Sequence, residues 1–386
     1  MTAPPLRLGV IGSSAKENEH RLPLHPDHLE RIPAELRRLI TLEHEYAARF
    51  RRSDAELADL VAGFASRGEI LASSDVVLLP KPQHADVEAM RPGAVLWGWP
   101  HCVQDPVMTQ LAIDRGLTLI AFEVMNHWTV DGSVGLHVFH KNNELAGYCS
   151  VLQALELTGT TGDYGRRLKA VVIGFGATAR GAVTALNAHG VHQVAVLTNR
   201  GVAAVGSPIH SVRIRQFDHA PEPPHLSHVI TEQGRVPLAG YLAENDIVVN
   251  CTLQDTDAPL TFLSVADLAL FRRGSLIVDV SCDEAMGFEW ARPTTFDDPM
   301  FTVADRVDYY AVDHSPSYLW NSATWENSEA LLPFLPIVLA GPESWDGNET
   351  ISRAIEVRDG HVVNPAILSF QDRAAEHPHV VASEVS

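Results

Sequence analysis

The first part of the chain alternates short continuous apolar runs with longer stretches of helical spacing. The apolar runs predict strands and the stretches between them predict helices. In chain order, the predicted strands are Leu6 to Ile11, Ile40 to Glu45, Val76 to Leu79, Val95 to Trp99 and Leu117 to Phe122. The predicted helices are Pro26 to Arg38, Asp54 to Ala65 and Pro106 to Arg115. Strands that alternate with helices indicate a mostly parallel sheet covered on both faces.

The middle of the chain, 168–200, combines a glycine-rich turn with the order strand, helix, strand. An apolar run from Ala170 to Ile173 precedes the turn GFGATA, and helical spacing then continues to His189. A second apolar run, Val194 to Leu197, follows at the distance typical of nucleotide-binding units. The pattern predicts a dinucleotide domain whose helix N-terminus receives a pyrophosphate. A turn with a purely structural role is the alternative.

The small residues of this turn have different expected roles. Gly174 permits the tight turn, and Gly176 lets the backbone approach the phosphates. Ala179, in the third small position, allows the helix to pack closely on the strand. We assign Ala177, between them, to the same cofactor-binding turn.

The end of the second strand bears on the choice of cofactor. NAD-selective sites usually place a carboxylate here for the ribose 2′-hydroxyl, whereas an arginine suits a 2′-phosphate. The chain instead has Thr198, Asn199 and Arg200. The sequence therefore favours NADP(H) over NAD(H), although Arg200 in a solvated loop would give the same pattern. Cys251, which ends a predicted strand from Ile247, is also assigned to cofactor binding.

The remaining elements are fewer and less regular. A long helix is predicted from Asn143 to Thr158, and a strand from Leu276 to Val280. Ser322 to Leu332 predicts another helix, with Ser322 as its N-cap. A short last element, Gly360 to Phe370, precedes a tail from Asp372 that we expect to be loosely ordered.

Composition narrows the class of protein. The chain has 386 residues, of which 46% are hydrophobic and 20% charged, which suffices for two domains with sizeable cores. Its formal net charge of −19 argues against nucleic acid as a partner. It has no apolar run of the ~20 residues that span a bilayer, and its first residues lead us to expect no export signal. Its four cysteines are widely separated, as in reduced cytosolic proteins, so we expect a cytoplasmic protein without a metal site.

Four polar residues follow predicted strands, where ligands collect in open α/β sheets. Arg21 could clamp a carboxylate, and Lys81, between two prolines, could transfer protons if desolvated. His101 ends the next strand and is suited to acid–base work near neutral pH. Asp283 follows a strand of the cofactor domain. Each of the four, taken alone, is also compatible with an ordinary loop or hydrogen-bonded side chain.

Several motifs in the same order resemble the alanine dehydrogenase and transhydrogenase-like superfamily. They are NEHRLPLHP, LLPKP, GWPH, KNNELAGY, GFGATARG, VDVSCDEAMGFEWARPTTFDDPMF and YYAVDHSPS. Within that superfamily the chain looks most similar to N5-(carboxyethyl)ornithine synthase, and more distantly to lysine-forming saccharopine dehydrogenases. The resemblance covers roughly residues 6 to 340.

This resemblance implies an α/β fold with two Rossmann-like doubly wound domains and a cleft between them. The cofactor domain, expected at 143–315, would be inserted into a discontinuous substrate domain formed by 1–142 and 316–386. It also implies a homo-oligomer.

The resemblance further implies the roles of the site residues. Arg21 matches the arginine that binds the substrate carboxylate, and Lys81 the lysine that contacts the substrate. His101 matches the catalytic histidine and Asp283 the catalytic aspartate. His314, assigned to substrate binding, stands where alanine dehydrogenases have an asparagine. Thr198 stands where their NAD-selective members have an acid. The differences at His314 and Thr198 both weaken the expectation of simple alanine dehydrogenase activity.

The main functional hypothesis is NAD(P)H-dependent condensation of a 2-oxo acid, such as pyruvate, with the amine of an amino acid, as in opine synthesis. The first alternative is alanine dehydrogenase-type reductive amination with ammonia, and the second a saccharopine dehydrogenase-like reaction. An alternative from another class is a protein that binds the cofactor without catalysis. The joint presence of Lys81, His101 and Asp283 argues against it, because cofactor binding alone needs none of them.

Overall fold

A computed structural model of the protein describes residues 4–199, 212–218, 227–252 and 259–381. Its contacts divide the chain into two compact units. Unit 1 consists of Met1–His140 and Trp320–Ser386, and unit 2 of Lys141–Leu319. Unit 2 is therefore inserted in sequence into unit 1, and its ends lie within a few residues of the expected limits, 143 and 315.

The elements are numbered here in chain order. The strands are β1 (Leu8–Val10), β2 (Ile40–Glu43), β3 (Gly63–Ala65), β4 (Val76–Leu78), β5 (Val95–Gly98), β6 (Thr118–Ala121), β7 (Asn126–Trp128), β8 (Val134–His137), β9 (Lys169–Ile173), β10 (Gln193–Thr198), β11 (Val212–Asp218), β12 (His228–Thr231), β13 (Gly234–Pro237), β14 (Ile247–Asn250), β15 (Thr261–Leu263), β16 (Ser275–Asp279), β17 (Gly287–Phe288), β18 (Met300–Val303), β19 (Val307–Tyr310), β20 (Ile355–Arg358) and β21 (His361–Val362).

The α-helices are α1 (Ala34–Arg37), α2 (Asp54–Leu57), α3 (Arg67–Ser73), α4 (His84–Ala89), α5 (Pro106–Asp114), α6 (His140–Leu157), α7 (Ala177–Ala188), α8 (Leu238–Ala243), α9 (Trp320–Leu331), α10 (Leu335–Leu339), α11 (Pro342–Asp346), α12 (Glu349–Arg353) and α13 (Pro365–Phe370). Short 3-10 helices occupy Pro26–Arg31, Ala48–Phe50, Ala58–Leu60, Phe122–Val124, Val265–Leu270, Ser315–Leu319 and Leu332–Phe334.

The main sheet of unit 1 is doubly wound. Its strands lie in the order β21-β20-β6-β5-β4-β1-β2-β3. The six strands β1 to β6 are parallel to their neighbours, whereas β20 and β21 pair in antiparallel fashion at one edge. Successive strands are added to one side of β1 from β1 to β3 and to its other side from β4 to β6. Open α/β sheets bind ligands at such a switch point, here between β1 and β4.

The main sheet of unit 2 repeats this arrangement. Its order is β13-β12-β11-β10-β9-β14-β16-β19-β18, and the six strands from β11 to β19 are parallel. The order reverses between β9 and β14, and the glycine-rich turn follows β9. The expected α/β class with two Rossmann-like units is confirmed.

Both sheets are buried on both faces, which explains why their strands read as continuous apolar runs. In β9, Ala170 and Val172 pack into one core, while Val171 and Ile173 pack into the core of the opposite face. The strands of unit 1 divide in the same way between two cores.

Helices α6 and α7 cross at backbone contact. A Cβ on Gly147 would lie 2.0 Å from the Thr178 carbonyl oxygen, and one on Gly181 would lie 1.7 Å from that of Glu144. Only glycine permits this approach, which sets the position of α7 and of the turn at its N-terminus.

Two predicted helices of unit 1 are wrong in part. The helix expected from Asp54 to Ala65 ends early, and its last residues form β3 because pairing with β2 satisfies their backbone groups. The helix expected from Pro26 to Arg38 is interrupted at Ile32, whose backbone is extended before Pro33.

Two expectations for the last part of the chain are also wrong. Ser322 is not an N-cap, because α9 begins at Trp320 directly after a 3-10 helix. The described part of the tail is ordered. Arg373 is buried and donates from Nε to Gln371, and His379 accepts a hydrogen bond from the Val362 amide. In the described residues, no helix is both long and apolar enough to cross a bilayer.

We expect Gly181→Ala to destabilise the protein, because the new methyl group would overlap the Glu144 carbonyl. Overpacking of this kind costs about 1–3 kcal/mol. Gly240→Ala is the matched control, since a Cβ there meets no atom within 4 Å and the residue lies in α8. Thermal unfolding followed by circular dichroism should show a lower midpoint for G181A alone. Equal midpoints for the two variants would contradict the close crossing.

Candidate active site

The carboxyl ends of neighbouring parallel strands in unit 1 carry the candidate catalytic residues. Arg21 lies in the segment after β1, Lys81 after β4 and His101 after β5. Because β4 lies between β1 and β5 in the sheet, these segments leave the same edge side by side.

Lys81 and His101 are in direct contact. The Lys81 ammonium nitrogen, Nζ, lies 2.8 Å from Nε2 of the His101 ring. The same Nζ lies 5.8 Å from the centre of the Trp99 ring, within cation–π range. Lys81 is partly exposed, and His101 is exposed over about half of its side chain, 46%. The pair joins a cation to a group that exchanges protons near neutral pH.

The backbone of His101 is held by an acid that the sequence analysis did not single out. His101 has a φ of +51°, in the left-handed region. Its amide donates to Oε1 of Glu123 at 2.7 Å, and the same oxygen lies 3.7 Å from Nδ1 of the ring. Glu123 follows β6, so the rule that selected Lys81 and His101, a polar residue after a strand, would have found it.

Arg21 is buried in an ion pair with Glu19, a second residue that the sequence analysis missed. Nε of Arg21 donates to one carboxylate oxygen of Glu19 at 2.8 Å, and Nη2 donates to the other. Burial would raise the pKa of Glu19, but the charge and hydrogen bonds of Arg21 lower it to about 2. The guanidinium also lies 5.4 Å from the centre of the Trp99 ring. Arg21 and Lys81 thus lie beside Trp99, and Lys81 contacts His101. Glu19 pairs with Arg21, and Glu123 accepts the His101 amide.

The turn after β1 in unit 1 is already occupied by a carboxylate. The amides of Gly12 and Ser13 donate to Oε2 of Glu43 at 2.9 and 2.7 Å. The Ser13 hydroxyl donates to the other oxygen. Because an acid of the chain itself satisfies these amides, this turn does not fit a phosphate.

The corresponding turn in unit 2 fits a pyrophosphate. Gly174 has a φ of +109°, and a Cβ there would lie 2.8 Å from the Cys251 carbonyl oxygen. Gly176 is the N-cap of α7, a 12-residue helix whose N-terminus has no side-chain cap. A Cβ on Gly176 would meet no atom within 4 Å. Open space in front of uncapped amides is what a bound anion requires, while Ala177 begins α7 and Ala179 is buried in the helix–sheet core.

The end of β10 holds the residues expected to choose between cofactors. Thr198 is its last residue and is buried, whereas Asn199 is exposed. Arg200 lies outside the described residues. The described end of the strand offers no carboxylate, in line with its sequence.

A buried network supports the loop that carries Asp283. Oδ1 of Asp279 accepts from Asn250 Nδ2 at 3.0 Å and from the Cys282 amide at 3.2 Å, and Oδ2 accepts from the Tyr309 hydroxyl at 2.7 Å. Cys282 has a φ of +48°, so its left-handed backbone depends on this support. Burial raises the pKa of Asp279 to about 6 against these hydrogen bonds, and burial also raises the pKa of Asp283.

His314 is almost completely buried, with 2% of its surface exposed. Its Nδ1 contacts the carboxylate of Asp313, and its ring lies nearly perpendicular to that of Phe296, with 4.9 Å between the ring centres. The structure thus gives it close protein partners, and its assignment to substrate binding stays a prediction.

A cavity of about 1070 Å³ lies elsewhere in unit 2. It is lined at the amino ends of β9, β10 and β11 by residues that include Lys169, Gln193 and Arg213. The glycine-rich turn lies at the opposite end of β9, so this cavity does not belong to the candidate cofactor site.

Comparison with known families and structures gives a consistent result. A profile described as alanine dehydrogenase/PNT, N-terminal domain, matches residues 11–146. A second, described as alanine dehydrogenase/PNT, C-terminal domain, matches residues 158–365.

Relatives of similar length carry the same name. An alanine dehydrogenase of Mycobacterium tuberculosis is 24% identical over 308 residues, which cover 78% of this chain and 79% of the relative. Alanine dehydrogenase 2 of Staphylococcus aureus is 22% identical over 365 residues, 92% of this chain and 94% of the relative.

Two solved structures share the fold. An L-alanine dehydrogenase matches with a TM-score of 0.73 and 20% identity over 95% of this chain and 99% of its own. A transhydrogenase from Sinorhizobium meliloti matches with a TM-score of 0.67 and 20% identity over 93% and 99%. The particular likeness to N5-(carboxyethyl)ornithine synthase stays a prediction.

The buried Asp279 should make stability depend on pH. Its folded-state pKa, about 6, is above the ordinary value of 3.8, so the stability that its protonated form provides is lost as the pH rises through 6. Relative to Asp279→Asn, which does not titrate there, the wild-type free energy of unfolding should fall by about 2 kcal/mol between pH 4 and pH 7.

Urea unfolding at pH 4, 5, 6 and 7 measures this difference. Asp298→Asn, which removes an exposed carboxylate, is the control and should run parallel to the wild type. A difference between D279N and the wild type that stayed constant with pH would show that Asp279 is not a titrating buried acid.

Proposed function

The chain belongs to the alanine dehydrogenase/PNT family and is a pyridine-nucleotide-dependent oxidoreductase, and on that premise we propose that it interconverts a small 2-oxo acid and its amino acid. The Lys81–His101 contact, 2.8 Å between Nζ and Nε2, is the observation that carries the proposal. A lysine and a histidine in contact at the end of parallel strands fit the removal of oxygen from a carbonyl carbon, which needs both charge stabilisation and proton transfer.

In this proposal Lys81 stabilises negative charge on the substrate oxygen, and His101 moves the protons. Ammonia adds to the carbonyl carbon, and the resulting hydroxyl leaves as water once it is protonated. His101 gives that proton and later receives one. The nicotinamide, when bound, supplies the hydride that reduces the carbon of the imine.

Arg21 is proposed to hold the substrate carboxylate. Its guanidinium is fixed in one plane by the two hydrogen bonds that it donates to Glu19, so little rotamer freedom is lost when a carboxylate binds. The negative charge of Glu19 also limits the net positive charge around Arg21 and Lys81, which disfavours the binding of a second acidic group there.

Unit 2 is proposed to supply the cofactor site through Gly174, Gly176, Ala177, Ala179, Thr198, Asn199 and Cys251. Asp283, whose pKa is raised by burial, is proposed to orient the cofactor or to exchange a proton with the amine. His314 is proposed to contact the substrate. The expected cleft, the homo-oligomer and the cytoplasmic location stay predictions.

The condensation of a 2-oxo acid with an amino-acid amine, our main hypothesis from sequence, has less support than reductive amination with ammonia. The relatives from Mycobacterium tuberculosis and Staphylococcus aureus are named alanine dehydrogenases. Both reactions use the same chemistry on the oxo acid, so the amine decides between them.

A direct assay separates these reactions. The protein is mixed with NADH or NADPH, a set of 2-oxo acids that includes pyruvate, and either ammonium or an amino acid, and cofactor oxidation and products are followed by absorbance and mass spectrometry. We expect turnover with ammonium alone. His101→Gln should lower kcat at least about 100-fold, while His44→Gln, which changes an exposed histidine of unit 1, should leave it unchanged.

Turnover only with an amino-acid amine would restore the condensation hypothesis. Cofactor binding without any turnover would contradict both and favour a non-catalytic protein.

We propose that the cofactor is NADP(H), because the end of β10 has no acid and is followed by Arg200. Arg200→Ala should weaken NADPH binding about tenfold or more by removing a charge-assisted contact with the 2′-phosphate, and should leave NADH binding within about twofold. Fluorescence titration of both cofactors measures this. Unchanged NADPH affinity would show that Arg200 does not choose the cofactor.

A further inference from the structure

One basic side chain lies beside the proposed phosphate turn of unit 2 and has no role in the steps above. Arg180 is in α7, four residues after the N-cap, Gly176. Its amide donates to the Gly176 carbonyl oxygen at 3.1 Å, so these two residues close the first turn of the helix. Residues four apart lie above each other on one face of a helix. Arg180 and Gly176 therefore share a face of α7.

That face is the one that the core leaves uncovered. Ala179 and Val183 are buried in the helix–sheet core, and Gly181 is buried against α6. Arg180 is partly exposed, and Thr184, one turn further along the helix, is exposed. The side chain of Arg180 thus lies on the solvent side of α7.

The guanidinium of Arg180 lies back towards the start of the helix. Its central carbon, Cζ, is 5.7 Å from the centre of the Phe175 ring, within cation–π range. Phe175 directly precedes the N-cap, so the side chain runs from residue 180 back to the glycine-rich turn. Side chains of helices lean in this direction in general. The contact places a cation at the end of α7 where a Cβ on Gly176 would meet no atom within 4 Å.

The charges at this helix end suit an anion. In the described residues, the first turn of α7 has neither an acidic residue nor a side-chain cap. Its amides are the positive end of the helix dipole, and a cation beside them is unfavourable. Lys141 and Glu144 of the crossing helix α6 pair with each other, with 2.9 Å between Nζ and Oε2. A bound anion would offset the repulsion at Arg180, whereas a purely structural helix gains nothing from it.

We propose that Arg180 binds the pyrophosphate of the cofactor together with the amides of the first turn of α7, and that Phe175 holds its guanidinium there. A guanidinium donates two parallel hydrogen bonds to a phosphate, and packing on a ring fixes its plane. The assignment rests on the proposed cofactor site in unit 2. It gives two arginines different tasks. Arg200 is proposed to contact the 2′-phosphate, which NADH lacks, and Arg180 the pyrophosphate, which both cofactors have.

Arg180→Gln should weaken the binding of NADH and of NADPH by the same factor, about tenfold, because the lost contact is with the pyrophosphate that they share. Arg180→Lys keeps the charge but not the two parallel bonds, and should weaken both about threefold. Fluorescence titration with each cofactor, without substrate, measures these losses. The midpoint of thermal unfolding without cofactor should stay within about 2 °C of the wild-type value, because no core contact is lost.

Arg292→Gln is the matched control. Arg292 is exposed and also lies over a phenylalanine, with its Cζ 4.5 Å from the centre of the Phe301 ring. Phe301 is in β18 at the edge of the sheet, whereas the glycine-rich turn follows β9 in its centre. R292Q therefore removes the same type of contact away from the turn, and should bind both cofactors like the wild type.

Phe175→Leu tests how the guanidinium is held. Leucine keeps an apolar side chain against the core but has no ring face for the cation. F175L should weaken both cofactors about threefold. The double variant F175L/R180Q should bind no more weakly than R180Q alone, because the phenylalanine acts through the arginine. Losses that multiply in the double variant would overturn this role of Phe175.

The outcomes separate the role of Arg180 from the proposed function. Unchanged binding of both cofactors by R180Q would overturn that role and leave the cofactor site intact. A loss confined to NADPH would also overturn it, because Arg180 would then act at the 2′-phosphate. Failure of the wild-type protein to bind either cofactor would overturn the role of Arg180 and the cofactor site together. Because the titration contains no substrate, absence of the proposed reaction would not affect it.

Discussion

The parallel pairing of the central strands is the constraint on which both candidate sites depend. Parallel strands end at the same edge of a sheet, so residues far apart in sequence meet there without any long-range interaction of their own. Arg21, Lys81, His101 and Glu123 lie on segments after β1, β4, β5 and β6, and they are gathered only because these strands are neighbours in register. The same constraint acts in unit 2. There the glycine-rich turn after β9, the last residue of β10 and the Asp283 loop after β16 lie at one edge of the sheet. Burial of both faces of each sheet then keeps the strand ends fixed.

The six parallel strands have the same order in the two units, but the chemistry of the units differs because of what occupies the turn after the first strand. In unit 1 the carboxylate of Glu43 accepts the amides of Gly12 and Ser13, so the turn is neutralised from within the chain. In unit 2 the turn ends in an uncapped helix with open space in front of Gly176, and the crossing of α6 and α7 at Gly147 and Gly181 holds that helix in place. One copy of the arrangement therefore lacks a phosphate site, while the other has its amides available for an anion.

The elements that could be predicted from the sequence are those whose signal is local. Continuous apolar runs identified the central strands, because burial on both faces requires an apolar residue at each position. The glycine pattern identified the turn after β9, because a tight turn requires small residues at fixed positions. Gly63–Ala65 was predicted as helix because its strand character comes only from pairing with β2. Lys81 and His101 were found because each follows a strong strand, but their contact, and the roles of Glu19 and Glu123, depend on which strands become neighbours. Spacing along the chain carries no such information.

Acidic side chains of the two units differ in how their oxygens are satisfied. Asp279 is fully buried but accepts three hydrogen bonds, from Asn250, Cys282 and Tyr309, and these bonds oppose the effect of burial on its pKa and hold a left-handed residue in position. Among the described residues, Glu123 and Glu356 each keep one buried oxygen that accepts no hydrogen bond, so no donor offsets the cost of burying that oxygen. A satisfied acid is the simpler way to brace a loop. The unsatisfied oxygen of Glu123, whose other oxygen accepts the His101 amide, costs stability that a purely structural brace would not require.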